Sequence, residues 1–260
     1  MHAAWLVKAR RVDGPLTGGH EHAGQVVRVG DTIRRPRGAG AEVVEALLVH
    51  LAAVGFDAAP RFLGVDGEGR QVLTFVPGEV HRQPPWQLDD EVNAVRLGEL
   101  AGLLHRVHAA TASFAPPGDA APRRPLPLPG MTWTHGDPGY PNVVYRGTRP
   151  TALIDWEFAA PADALCDPAA LLALSVRGPR PDAPDHERRE SATRAAFEAI
   201  ADGYGMDGSQ RRRLPAAAAV VLDDTVTHWR ASGSGGADAD RLAWRAAWFR
   251  RRGAVLSRWA

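Results

Sequence analysis

Residues 77–86, PGEVHRQPPW, divide the chain into two stretches that follow different hydrophobic periods. Pro77, Pro84 and Pro85 lack main-chain donors, so neither a helix nor a central strand runs through this segment. Before it lie short β-type runs around a single helical stretch; after it, helical spacing dominates. Such a chain is expected to build a small sheet-bearing lobe (1–78), a connection (79–88) and a larger helical lobe (89–260), with a cleft between the lobes.

In the first part, GQVVRVG and DTIRRP meet at Gly30-Asp31, a hairpin signal. The run AEVVEALLVHLAAVGF places Val44, Leu47, Leu48, Leu51 and Val54 at helical spacing, and Gly55 ends it. RFLGVD and RQVLTFV form a second strand pair around DGEG. In the second part, the helix from Asp89 carries Val92, Leu100, Leu104 and Val107 on its apolar stripe, with His105 and His108 read as packed, hydrogen-bonded residues. The strand-like runs NVVY and TALIDW follow. Helices are then expected over 164–175, 186–204, 209–231 and 238–256.

The bulk numbers exclude some functions. With 31 basic and 30 acidic residues the net charge is +1, which gives no basis for bulk nucleic-acid or membrane affinity. The lone Cys166 allows no intrachain disulfide and is read as a small core residue. No apolar run approaches a membrane span, and the first residues carry no signal-type run, so a cytoplasmic location is expected.

Chemistry concentrates in THGDPGYPNVVY, residues 134–145. Phosphoryl transfer from a nucleotide to an alcohol needs a carboxylate to take or orient the hydroxyl proton, oxygen ligands for magnesium, and a fixed cation. Positioning and electrostatics do most of the work. Asp137 suits the first role, and Asn142 and Asp155 (in LIDWEF) suit the second, because hard magnesium accepts two protein oxygens and completes its shell with phosphate and water. Pro138 and Pro141 stiffen the intervening loop. His135 is expected to hold the loop through backbone hydrogen bonds. Asp167 either caps a helix or braces the same loop.

HGDPGYPN followed by IDWEFA resembles the catalytic loop and metal-binding segment of the aminoglycoside phosphotransferase family, relatives of protein kinases and choline kinases. LTFVPGE is similar to that family's hinge and LLHRVH to the helix before its catalytic loop. The resemblance implies an α+β, protein-kinase-like two-lobed fold and an O-phosphotransferase using ATP or GTP with Mg²⁺ on a small-molecule hydroxyl. It makes Asp137 the catalytic base and Asn142 and Asp155 the metal ligands. Thr17, Gly18 and Gly19 would cover the phosphates, and Phe75 and Val76 would meet the base through backbone groups. One departure stands out: Lys8, the only lysine, precedes the glycine-rich stretch, so an arginine of TIRRP must replace the usual lysine. Arg34 is favoured over Arg35, with Glu42 or Glu45 as its helix partner. The missing lysine also raises an alternative, a nucleotide-binding pseudokinase with a regulatory role. A polycationic acceptor would need an acidic site, which Asp223, Asp224, Asp182, Asp185, Glu187 and Glu190 could gather to form.

Overall fold

The structure is a computed structural model that describes residues 14–15, 25–81, 91–176, 186–233 and 236–259. Its first part is an antiparallel sheet of β1 (Gly14–Pro15), β2 (Val27–Val29), β3 (Thr32–Arg35), β4 (Phe62–Val65) and β5 (Gln71–Thr74), in the order β1-β2-β3-β5-β4. Gly30, at φ 58°, makes the turn between β2 and β3. The helix α1 (Ala41–Ala53) buries Val43, Val44, Leu47, Leu48 and Leu51; of the expected stripe, Val54 instead lies just past the helix end and is exposed. It stops where Gly55 takes φ 77° and donates its N–H to the Ala52 carbonyl.

The connection begins at Phe75 and is pinned at once. Glu79 and Tyr145 exchange two main-chain hydrogen bonds of 2.8 Å. Gly78 lies so close to the second part that a Cβ there would sit 2.4 Å from Val144 Cγ1 and 2.6 Å from the Tyr145 oxygen. The base of the cleft is therefore a tight backbone contact.

The second part holds α2 (Glu91–Thr111), α3 (Cys166–Ser175), α4 (His186–Tyr204), α5 (Gly208–Ala231) and α6 (Gly236–Leu256). Asp207 opens α5 with a capping box: it accepts from Gln210 N while Gln210 Oε1 accepts from Asp207 N. Between α2 and α3 run β6 (Thr132–Thr134), the hairpin β7 (Val143–Arg146) and β8 (Arg149–Leu153), and β9 (Ala160–Ala162). β6 pairs with β9, so the chain leaves β6 through one loop, forms the hairpin, turns once more and returns beside its starting point. The two turns that carry Asp137 and Asp155 thus emerge side by side. β6 and β9 escape a sequence reading because three residues show no period, and Pro161 sits within β9.

Among the described residues a main core spans both parts, with Trp156, Tyr145, Phe197 and Phe249 fully buried, beside a small second cluster of Leu126, Ala160, Ala162 and Cys166. Cys166 is buried, as its neighbours suggest, and burial raises its thiol pKa far above the ordinary value, leaving it unreactive. α2 and α4 approach most closely where Gly98 faces Gly203. A Cβ on Gly203 would meet the Gly98 oxygen at 2.1 Å. Gly203→Ala is expected to destabilise the protein by about 1–3 kcal/mol through this backbone clash, measurable by denaturant unfolding.

Candidate active site

The loop 134–142 is held from below by one carboxylate. Asp167, in the first turn of α3 and fully buried, accepts from the His135 N–H at 2.8 Å and the Gly136 N–H at 2.9 Å. The same group meets His108 Nε2 at 2.9 Å, and His108 Nδ1 meets the Tyr204 hydroxyl at 2.6 Å. Of the two roles the sequence offers Asp167, these bonds are those of the brace. Burial alone would raise its pKa, but the hydrogen bond and charge of His108, aided by His135, hold it below the ordinary carboxylate value.

His135 lies beneath the loop. Its Nε2 bonds the Ile154 carbonyl at 2.9 Å, its Nδ1 accepts from the Asp137 N–H at 3.3 Å, and its ring packs against Trp156. Burial lowers its pKa, consistent with the neutral tautomer that this pair of bonds requires. Gly136 adopts φ 82°, and a Cβ there would lie 2.2 Å from the Phe158 oxygen. Only glycine lets the two turns lie this close.

Asn142 clamps Asp137. Its Nδ2 donates to the Asp137 Oδ2 at 2.8 Å and to the Asp137 carbonyl at 3.0 Å. The Pro138–Pro141 stretch ends in a short 3₁₀ turn, Tyr140–Asn142, which fixes Asn142 relative to Asp137. The Asn142 carbonyl in turn accepts from Ile154 N at 2.9 Å, tying this loop to the turn that carries Asp155. Desolvation, then the nearby Asp155 carboxylate, push the Asp137 carboxyl up to about 6, although the Asn142 bond opposes the shift. A carboxyl so tuned suits proton transfer near neutral pH.

Asp155 is the one non-glycine residue with positive φ among the described residues, at φ 64°, ψ 61°. This conformation lies in a sparsely populated region that aspartate tolerates better than most residues, and such strain concentrates at functional positions.

The cation that reaches Asp155 is Arg35. Its NH1 donates to Asp155 Oδ1 at 2.7 Å and its NH2 to Glu157 Oε2 at 2.8 Å. Arg34, the residue expected at the phosphates, points elsewhere: NH1 donates to Thr32 Oγ1 at 2.6 Å and Nε lies 3.6 Å from Asp66. Alternation along β3 separates the two, and their neighbouring positions in TIRRP give no sign of which face meets the cleft. Neither helix glutamate pairs with Arg35. Glu42 is exposed, and Glu45 is taken by Arg37, at 2.8 and 2.9 Å, and by Gln71.

At the hinge, Phe75 N donates to the Asp31 carbonyl at 2.9 Å, and the Phe75 ring lies under the Arg28 guanidinium. Glu79 N is bonded to Tyr145. Pro77 has no donor, so Val76 and Gly78 supply the remaining hinge N–H groups. Of the two hinge residues expected at the base, Val76 retains a donor and Phe75 offers only its carbonyl. Thr17, Gly18 and Gly19 lie outside the described residues, as do Asp182 and Asp185.

The donor set fits magnesium. With both Asn142 amide-nitrogen bonds spent on Asp137, its Oδ1 is left as a neutral oxygen ligand, and Asp155 offers a carboxylate on the turn joined to the same loop. Among the described residues no cluster of three or more His, Cys, Asp or Glu has the geometry of a protein-only metal cage.

The fold is that of kinase-like phosphotransferases. It is shared with a choline/ethanolamine kinase family protein from Mesorhizobium loti, at TM-score 0.58 and 19% identity over 96% of this chain and 93% of that one. It is shared also with an amicoumacin kinase solved with AMP-PNP and Ca²⁺, at TM-score 0.57 and 11% identity over 88% and 87%. Residues 123–214 match the phosphotransferase enzyme family. The trifolitoxin immunity protein of Rhizobium leguminosarum bv. trifolii is 34% identical over 204 residues, 75% of each chain. The chain belongs to the phosphotransferase enzyme family. No helix among the described residues is long and apolar enough to cross a membrane.

Asp137 sits in the folded protein with a carboxyl titrating near 6 against 3.8 for the free group. A raised carboxyl favours the folded state only while protonated, so stability falls as pH rises from about 4 through 6. Asp137→Asn is therefore expected to gain on the order of 1–3 kcal/mol relative to wild type at pH 8, and nothing at pH 4. Thermal melts across that range measure the difference.

Proposed function

We propose that this protein transfers the γ-phosphoryl group of ATP or GTP to a hydroxyl of a small molecule. The supporting observation is the clamp of Asn142 on Asp137, joined by one main-chain bond to the turn that presents Asp155 and, through it, Arg35. In this reading residues 1–78 form the nucleotide lobe and 89–260 the catalytic and acceptor lobe.

Asp137 accepts a hydrogen bond from the acceptor hydroxyl, aligns it and takes its proton as the new P–O bond forms and the bond to the β–γ bridging oxygen breaks, leaving the nucleoside diphosphate. Asn142, by donating to Oδ2, fixes which oxygen of Asp137 remains to meet the hydroxyl. Asn142 Oδ1 and Asp155 would hold magnesium, which when bound supplies charge neutralisation on the phosphates. Arg35 holds phosphate oxygens in place of a lysine, its planar fork matching their geometry. Val76 N–H and the Phe75 carbonyl meet the edge of the base. The Asp167 brace keeps the loop from shifting as charge moves.

The acceptor is best read as a compound that is not a polycation. Asp224 is paired with Arg124 at 2.7 Å and Asp223 with Arg250, so the acidic residues of α5 already have cationic partners. The immunity protein among the relatives supports a protective role, modification of a toxic compound, over a step of central metabolism.

The test is a coupled nucleotide-consumption screen over aminoglycosides, other hydroxylated antibiotics and hydroxylated metabolites. Magnesium-dependent turnover is expected, with neutral or singly charged acceptors used better than aminoglycosides, and Asp137→Ala is expected to lose roughly 10²–10⁴-fold in kcat while still binding nucleotide. Wild-type turnover in Asp137→Ala would remove Asp137 from its role. Nucleotide binding with no turnover of any acceptor would identify the pseudokinase that the missing lysine suggests.

A further inference from the structure

In kinases the cation over the phosphates is held by a glutamate on the helix of the small lobe. Here that helix cannot supply one. Glu45 is buried and its two oxygens already accept from Arg37 and Gln71, while Glu42 faces solvent. The Arg35 fork instead crosses the cleft and divides between two carboxylates, Asp155 and Glu157.

The two carboxylates differ in situation. The Asp155 side chain is 34% exposed and that of Glu157 15%, against 13% for Arg35. Asp155 is the more open group and the one whose oxygens suit magnesium. Glu157 lies deeper, two residues further along the chain in the 3₁₀ turn Trp156–Phe158, and the same Oε2 that accepts from Arg35 accepts from Arg123 NH1 at 3.1 Å. A guanidinium has donors enough to keep one nitrogen on Glu157 while the other leaves Asp155 for a phosphate oxygen.

We infer that Glu157 is the positioning residue for Arg35: it anchors the phosphate-holding cation from the large lobe, in the role the helix glutamate plays elsewhere. The inference rests on the phosphotransferase reading of the cleft. In this role Glu157 acts through Arg35. The arrangement also explains why β3 can carry an arginine. A lysine offers a single ammonium, whereas the planar fork spans both carboxylates at once.

The experiment is a double-mutant cycle on the full chain, read by the dissociation constant of a fluorescent ATP analogue with magnesium and by steady-state kinetics. Glu157→Gln and Arg35→Ala are each expected to weaken nucleotide binding roughly tenfold and to raise the nucleotide KM while leaving the acceptor KM unchanged. The double variant is expected to bind no more weakly than Arg35→Ala alone, because Glu157 has nothing left to position. Arg123→Ala separates loop anchoring from cation anchoring and is expected to change nucleotide binding less than twofold. Thermal melts of each variant check folding, and if Glu157→Gln does not fold, Glu157→Asp, which keeps the charge but draws it back by one methylene, enters the same cycle. Fully additive losses, or an Arg123→Ala defect as large as that of Glu157→Gln, would overturn the inference while leaving the phosphotransferase reading intact. A wild-type protein that binds no nucleotide would overturn both.

Discussion

The geometry of the cleft depends on one buried carboxylate. Asp167 is fully removed from water yet takes two main-chain N–H groups of the loop 134–142 and a histidine ring. An ionised group so placed is tolerable only because those donors replace its hydration. The histidine is itself bonded to Tyr204, so three helices, α2, α3 and α4, fix the position of a loop that has little regular structure of its own. The close crossing at Gly98 and Gly203 brings Tyr204 within reach of α2. Packing far from the cleft thereby determines where Asp137 sits.

A second constraint joins the two turns. β6 and β9 pair at their base, Asn142 O accepts from Ile154 N, and Gly136 lets the Phe158 carbonyl pass without collision. The relation between Asn142 and Asp155 is thus written in main-chain contacts rather than in flexible side chains, as the proposed sharing of one ion would require. The left-handed backbone at Asp155 is the residual strain of that arrangement, held in place by the packed Trp156 that follows it.

Much of this was legible in the chain itself. The helices follow a 3.6-residue period and their ends carry recognisable stop signals such as Gly55; Asp137, Asn142 and Asp155 stand out because prolines and glycines isolate them. What was not legible is informative. Arg34 and Arg35 are adjacent, and only the pairing of β3 with its neighbours decides which one faces the cleft. Asp167 looks like any acidic residue in the first turn of a helix until the loop above it is placed. Glu157 gives no signal at all, since its importance comes from a partner 122 positions earlier in the chain. Sequence periodicity reports burial within an element; it does not report which side chains meet across a cleft.

Arg35 also changes how such a site would respond to chemical probes. Reagents that carry an electrophile on a nucleotide mark ordinary kinases by acylating the amine beside the phosphates. In the proposed reading the group at that place is the Arg35 guanidinium, a poor nucleophile. A survey of nucleotide-binding proteins that relies on amine capture would therefore pass this cleft by, and so would any inhibitor built to form a bond with that lysine.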